Sequence, residues 1–118
     1  MSLNRAILIG RLTRRPELRI TPSSVSVTTF TLAVDRRPDA QGGKQADFIE
    51  CVTFGALAEN VSKHLDKGRL VAVEGRIQTR SFETKDGQRR KVREVVAESV
   101  RFLDRKPREE MQDESPMG

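Results

Sequence analysis

The sequence predicts an all-β fold with one short helix, arranged as a five-stranded Greek-key barrel. Segments rich in β-branched and aromatic residues recur between turn residues, which is typical of strands. Helical spacing of apolar residues occurs in one stretch, between the third and fourth of these strands. An Asp-Gly pair joins the last two strands into a hairpin, and we expect neighbouring strands to be antiparallel. At 118 residues, the chain fits one domain.

The first two strands are predicted on either side of a basic segment. Ala6–Gly10 is apolar on both faces, which suits a strand covered on both sides, and Gly10 permits close backbone approach. Arg11–Arg19 is either a basic loop or a short strand, and a merely solvated connection is also open. Val25–Val34 is a strand with Phe30, Leu32 and Val34 on one face.

The third strand, Asp47–Phe54, places a carboxylate between aromatic rings. Side chains alternate between the faces of a strand, so Phe48, Glu50 and Phe54 share one face. Because an unpaired carboxylate is expensive to bury, we predict that this face is at least partly wet. The alternative is that both rings belong to the core and Glu50 finds a partner at an edge.

One helix is predicted within Ala56–Lys67, with Gly68 as its stop. His64 lies near its end and is interpreted as a partner of the helix dipole rather than a catalytic base. Cys51 is interpreted as a packed small side chain. With one Cys and one His in the chain, neither a disulfide framework nor a Cys/His zinc site can form within it. We expect no cofactor and no enzymatic activity.

The last two strands, Arg69–Phe82 and Arg89–Phe102, form a hairpin around Asp86-Gly87. Its first strand has a core side and a polar side. The core side carries Val71, Val73, Ile77 and Thr79, and the polar side carries Glu74, Arg76, Gln78, Arg80 and Phe82. Lys85, Arg89, Arg90, Lys91 and Arg93 surround the turn. Cations beside an exposed ring suit a polyanion with stackable bases, although an ordinary solvated hairpin has the same pattern.

The charge distribution favours a polyanionic partner. The chain has a formal net charge of +5, but residues 1–102 hold 19 Lys and Arg against 12 Asp and Glu, or +7. Residues from about 104 onward are rich in charge and Pro, and are predicted to be a disordered tail. No segment has the pattern of a membrane span or a secretory signal, so a reducing cytosol is the expected compartment.

The order of elements is that of the OB-fold, a small barrel that often binds oligonucleotides. Eight motifs then resemble bacterial single-stranded DNA-binding proteins, in order and over about residues 3–103. They are Leu3–Thr13, Pro16–Arg19, Phe30–Val34, Asp47–Gly55, Leu57–Asn60, Leu65–Gly68, Val73–Arg80 and Ala97–Val100.

The resemblance implies a homotetramer that wraps and protects single-stranded DNA during replication, recombination and repair, in the bacterial cytoplasm and at the nucleoid. It implies a DNA-binding domain over residues 1–103 and a tail over 104–118. The base-stacking residues implied are Phe48, Phe54 and Phe82. The implied contacts to the DNA backbone are Arg11, Arg36, Arg37, Arg76, Arg80 and Lys85.

The sequence departs from the family pattern at three points. A further family stacking position falls near Pro38 here, and Trp and Tyr are both absent. Family members usually end in a flexible tail with an acidic, apolar tip that recruits replication and repair enzymes, whereas residues 113–118 read Asp-Glu-Ser-Pro-Met-Gly. These departures keep an alternative open: a primosomal-type OB-fold adaptor that acts mainly through protein contacts.

Overall fold

Six strands and one helix follow one another along the chain in the computed structural model, which describes residues 1–104. They are β1 (Ala6–Leu12), β2 (Glu17–Ile20), β3 (Ser26–Asp35), β4 (Ala46–Phe54), α1 (Gly55–His64), β5 (Leu70–Glu83) and β6 (Arg89–Phe102). The five predicted strands and the position of the helix are confirmed. The sixth strand, β2, is the short-strand alternative for the basic segment after β1. The predicted tail from residue 105 onward lies outside the described residues.

The sheet closes on itself through β1. Its order is β1-β5-β6-β4-β3-β2, with an additional pairing between β1 and β3. Residues Ala6 to Arg11 pair with β5, and Arg11 and Leu12 then pair with β3. Gly10 precedes this change of partner, where an added Cβ would lie 2.5 Å from the carbonyl oxygen of Ala33. The predicted close approach at Gly10 is therefore confirmed, and the barrel has the closed-ring form of the OB-fold.

Two strand expectations need correction. β4 and β6 pair in parallel, whereas antiparallel neighbours were expected throughout. Parallel neighbours need a crossover connection, and α1 with β5 supplies it. The outer side of β1 is uncovered within one chain, because Ile7 and Ile9 are 66% and 56% exposed.

The inner faces of the strands build one main core. Phe30 and Leu32 of β3 and Val71 and Val73 of β5 are buried there, together with Val61 of α1. The Thr28 hydroxyl of β3 donates to the Ala58 carbonyl of α1 at 2.7 Å. The helix therefore packs against the sheet through both apolar and polar contacts. With ten residues it is far shorter than a bilayer-spanning helix, and the described part of the chain contains no candidate span.

The helix ends at His64, three residues before the predicted end. Leu65 is buried in the core, as the helical spacing required, but its backbone is extended. Gly68 has φ +86° and its N–H donates to the carbonyl oxygen of Leu12 at 2.8 Å. The chain leaves the helix early because it must bring this N–H to the end of β1.

The β5–β6 hairpin extends beyond the barrel. Thr84–Gly87 forms its turn, with Gly87 at φ +85°, as the Asp-Gly pair predicted. The pairing of β1 with β5 stops at Ala6 and Gly75, so the rest of β5 pairs with β6 alone. Ile77, predicted on the core side, is therefore 47% exposed.

Candidate nucleic-acid interface

The outer side of β4 presents two exposed aromatic rings. Phe48 is 68% exposed and Phe54 is 46% exposed, whereas the alternate residues Ile49 and Cys51 pack in or against the barrel core. The predicted wet face is confirmed, and the alternative that both rings are core residues is wrong. We call the outer side of β4, formed by Phe48, Glu50, Val52 and Phe54, the phenylalanine face.

The phenylalanine face includes one residue of a second, small apolar cluster, Val52. Val52 packs with Val27 of β3 and Val96 of β6, separately from the barrel core. Val52 and Val96 are partners in the parallel β4–β6 pairing. The phenylalanine face therefore continues without a break onto the outer side of β6.

The hairpin extends the same surface. On β5, Arg76, Gln78 and Arg80 stand directly opposite Val96, Glu94 and Val92 of β6. Residues directly opposite in a sheet share a face, so the polar side of the hairpin adjoins Val96 and, through it, the phenylalanine face. This outer surface spans β4, β6 and β5.

Arg80 is held at a defined place on this surface. Its guanidinium lies 5.6 Å from the centroid of the Phe82 ring, within cation–π range. Its Nη2 lies 3.4 Å from Oε1 of Glu94, and Nε2 of Gln78 donates to Oε2 of Glu94 at 2.8 Å. Glu94 is buried and both of its oxygens are satisfied. Arg80 and Phe82 thus form a preformed pair of cation and ring.

Arg11 belongs to the same row of side chains as Phe48. Arg11 pairs with Ala33, and Ala33 pairs with Phe48, so two strand spacings, about 10 Å, separate Arg11 from Phe48. One guanidinium nitrogen of Arg11 donates to the Gly68 carbonyl at 2.9 Å. Arg11 can therefore flank the aromatic surface from the side of β1.

The loop cations differ in their surroundings. Arg36 donates to Oδ1 of Asp47 at 2.8 and 3.0 Å, and this hydrogen bond lowers the pKa of the Asp47 carboxyl and raises that of Arg36. Arg37 is exposed in the loop after β3, and Lys85 is exposed in the hairpin turn. Arg36 thus already has a carboxylate partner that a phosphate would have to replace.

Two cations beside the rings were not among the predicted site residues. Arg19 of β2 pairs with Val27, which in turn pairs with Phe54, so the three form one row across the sheet. Arg90 stands directly opposite Phe82. Which ring each of these cations lies beside depends on strand register, and the spacing of residues along one strand does not reveal the register. Both had a partial signal, since Arg19 ends the basic segment after β1 and Arg90 belongs to the basic cluster around the Asp-Gly turn.

The chemistry of this surface is that of a binding site. Exposed rings can stack on planar groups, and guanidinium groups can neutralise phosphates. Cys51 is buried, and this burial, followed by the charge of Glu50, raises the pKa of its thiol to about 12. The His64 ring centroid lies 6.4 Å from that of Phe102, away from the phenylalanine face. Within residues 1–104, no group of three His, Cys, Asp or Glu side chains is placed to hold a metal ion.

Comparison with known sequences gives one consistent result. The Single-strand binding protein family matches residues 3–103. "Single-stranded DNA-binding protein 2" of Staphylococcus aureus strain Mu50 is 59% identical over 105 residues, which are 88% of this chain and 74% of that protein. "Single-stranded DNA-binding protein 1" of S. aureus strain MSSA476 is 55% identical over 113 residues, 95% of this chain and 72% of the relative. "Single-stranded DNA-binding protein 3" of Listeria innocua is 55% identical over 105 residues, 88% of this chain and 66% of its own length.

Proposed function

The chain belongs to the single-strand binding protein family, and on this premise we propose how it binds single-stranded DNA and protects it during replication, recombination and repair. It is a binding protein and not an enzyme. One observation carries the proposed mechanism: two exposed rings of β4 share a continuous outer surface with the cationic side of the hairpin. Single-stranded DNA offers both partners that this surface requires, unstacked bases and a charged backbone.

The bases stack on phenylalanines in this mechanism. Phe48, Phe54 and Phe82 are the proposed stacking residues, and each is at least 43% exposed. A stacked base contributes about 1 to 3 kcal/mol, and we expect the lower part of this range because the phenyl ring is smaller than an indole. Stacking reads no base edge, so binding is largely independent of sequence. Duplex DNA hides its base faces and binds more weakly.

The phosphates are neutralised by basic side chains around the rings. The proposed contacts are Arg11, Arg36, Arg37, Arg76, Arg80 and Lys85. Neutralising Z phosphates of a single strand releases counterions, so log affinity falls with log salt with a slope of about −0.7Z. Arg80 needs little reordering, because Glu94 and Phe82 already fix it. Arg36 exchanges Asp47 for a phosphate.

We propose that four copies of the chain assemble into a homotetramer through the outer side of β1. Ile7 and Ile9 lie there side by side, and both are more than half exposed. Within the described residues, Ala6–Gly10 is paired along one edge only, with β5. A second copy would cover the apolar side chains and the open edge together.

The remaining assignments follow from the family. Residues 1–103 are proposed as the DNA-binding domain and 104–118 as a tail, of which 105–118 lie outside the described residues. The proposed location is the bacterial cytoplasm, at the nucleoid. Replication and repair proteins are candidate partners.

The test is a fluorescence-anisotropy titration of labelled oligo(dT) at two salt concentrations. Phe48→Ala/Phe82→Ala is compared with the wild type and with Phe102→Ala. Phe102 is a matched control because it is 44% exposed, close to the 43% of Phe82, but stands opposite Val71 at the other end of the hairpin. Losing two stacked rings should weaken binding by about 30-fold.

Each outcome has a distinct meaning. Tight, salt-dependent binding that falls in the double variant and not in Phe102→Ala supports the mechanism. Weak binding to oligo(dT), or equal binding to a duplex of the same length, would contradict it. Such a result would favour the primosomal-type adaptor, in which the barrel serves contacts with proteins.

A further inference from the structure

Glu50 is an acidic residue in the middle of the phenylalanine face. It lies two residues from Phe48, about 7 Å along the strand, and four residues from Phe54, about 13 Å along the strand. Its side chain is exposed, on the same side as both rings. A carboxylate here repels phosphates, so neither base stacking nor charge neutralisation explains its place.

Thr31 fixes the carboxylate. It stands directly opposite Glu50 on β3, and its buried hydroxyl donates to Oε1 of Glu50 at 2.7 Å. Among the described residues, Oε2 has no hydrogen-bond or ion-pair partner. The contrast is Glu94 on β6, which is buried and has both oxygens occupied by Gln78 and Arg80. Of these two carboxylates on the outer surface, Glu50 is the one with an acceptor available to a ligand.

On the basis of the single-stranded DNA binding proposed above, we infer that Glu50 gives this surface a preference among bases. A base stacked on Phe48 lies within reach of the Glu50 carboxylate, which occupies the adjoining position of the same face. Oε2 then accepts a hydrogen bond from the exocyclic amino group of cytosine or adenine, or from the adjacent N1–H and N2–H₂ donors of guanine. Thymine has no amino group, and its one N–H lies between two carbonyl oxygens that a carboxylate repels.

The same charge orients the strand. Beside Glu50, phosphates are repelled by the carboxylate and attracted by the hairpin cations Arg76 and Arg80, so this part of the backbone lies on the hairpin side. The bases then point across β6 towards β4. This arrangement brings base edges, and not phosphates, to the Glu50 carboxylate.

For each protein variant, the experiment compares the affinities for oligomers of different base composition. Anisotropy titrations use oligo(dT), oligo(dC) and a mixed dT/dG oligomer of equal length with wild type, Glu50→Gln and Glu98→Gln. Glu98 is exposed on β6, where it shares Arg5 with Glu74 and lies 3.7 Å from it, so its substitution makes the same charge change on another strand. The glutamine amide at position 50 can donate to thymine O4 as well as accept.

Glu50→Gln should therefore tighten oligo(dT) binding about fivefold more than oligo(dC) or dT/dG binding, whereas Glu98→Gln should change all three equally. Thr31→Val leaves the charge of Glu50 unchanged but removes the hydroxyl that positions its carboxylate. It should therefore reduce the difference in affinity between the oligomers. Ratios between oligomers within each variant cancel differences in protein activity.

Two failures are distinguishable. If wild type binds, Phe48→Ala weakens every oligomer, and Glu50→Gln acts equally on all of them, then base preference is overturned while the proposed function stands. If wild type binds none of the oligomers, the proposed function and this inference are both overturned.

Discussion

The Cys51 thiol illustrates how position in the barrel sets the chemistry of a side chain. It lies in the core, and burial together with the nearby charge of Glu50 raises its pKa to about 12. The thiolate is the reactive form, so the folded protein holds this group in its unreactive state. The interpretation of Cys51 as a packed side chain is confirmed.

We predict that Cys51 does not react with a disulfide reagent such as DTNB at pH 8 until the protein unfolds. The pKa of the Cys51 thiol is higher in the folded than in the unfolded protein. Its contribution to the free energy of unfolding is therefore complete below the ordinary cysteine pKa and is lost as the pH rises towards 12. The measurement is the absorbance of the thiolate that DTNB releases when it reacts, with and without denaturant. Rapid labelling of the native protein would show that Cys51 is accessible.

At the same scale, the sequence predicted which side chains share a face but not which ones touch. Alternation placed Phe48, Glu50 and Phe54 on one wet face, and that is where they lie. The bond from Thr31 to Glu50 joins residues on two strands and depends on register, which the chain alone leaves open. The Arg19 position beside Phe54 was missed for the same reason.

At the scale of elements, the hairpin shows where local signals suffice and where tertiary contacts decide. β-branched residues and Asp86-Gly87 predicted both strands to within one residue at each end. The register shift at Glu74/Gly75 was not predictable from either strand, because it arises where β5 loses β1 as a neighbour. The early end of α1 has the same kind of cause, the bond from Gly68 to Leu12.

Gly75 is required at this register shift, and we predict that Gly75→Ala destabilises the fold. An added Cβ would collide with the carbonyl oxygen of Val96 and approach the Cα of Ala97. Overpacking of this kind costs about 1 to 3 kcal/mol, and we expect about 2 kcal/mol since the colliding atoms are backbone. Thr79→Ala, an exposed change on the same strand, should stay within about 0.5 kcal/mol. Urea unfolding monitored by circular dichroism measures both, and equal midpoints would mean that the backbone relaxes around the new Cβ.

At the scale of the whole molecule, the barrel separates two exposed apolar regions by their chemical surroundings. The phenylalanine face adjoins the cations of the hairpin, whereas Ile7 and Ile9 on β1 adjoin an open strand edge. Rings beside cations suit a nucleic acid. Aliphatic side chains beside unpaired backbone groups suit another strand of protein, since pairing satisfies the backbone and burial covers the side chains. This contrast supports the proposal that the chain assembles through β1 and binds DNA on the surface of β4, β6 and β5.

This division predicts that Ile7→Lys/Ile9→Lys disrupts assembly while each chain stays folded. Burying two ammonium groups in an interface is strongly unfavourable, whereas on the outer side of a single barrel they remain solvated. Light scattering coupled to gel filtration should give four times the 13.3 kDa protomer for wild type and a smaller species for the variant. Leu18→Lys/Ile20→Lys is the control, because these residues form another exposed apolar pair on the short strand β2. If the β2 variant dissociates and the β1 variant remains a tetramer, the interface lies on β2 instead. A monomeric wild type would overturn the proposed tetramer.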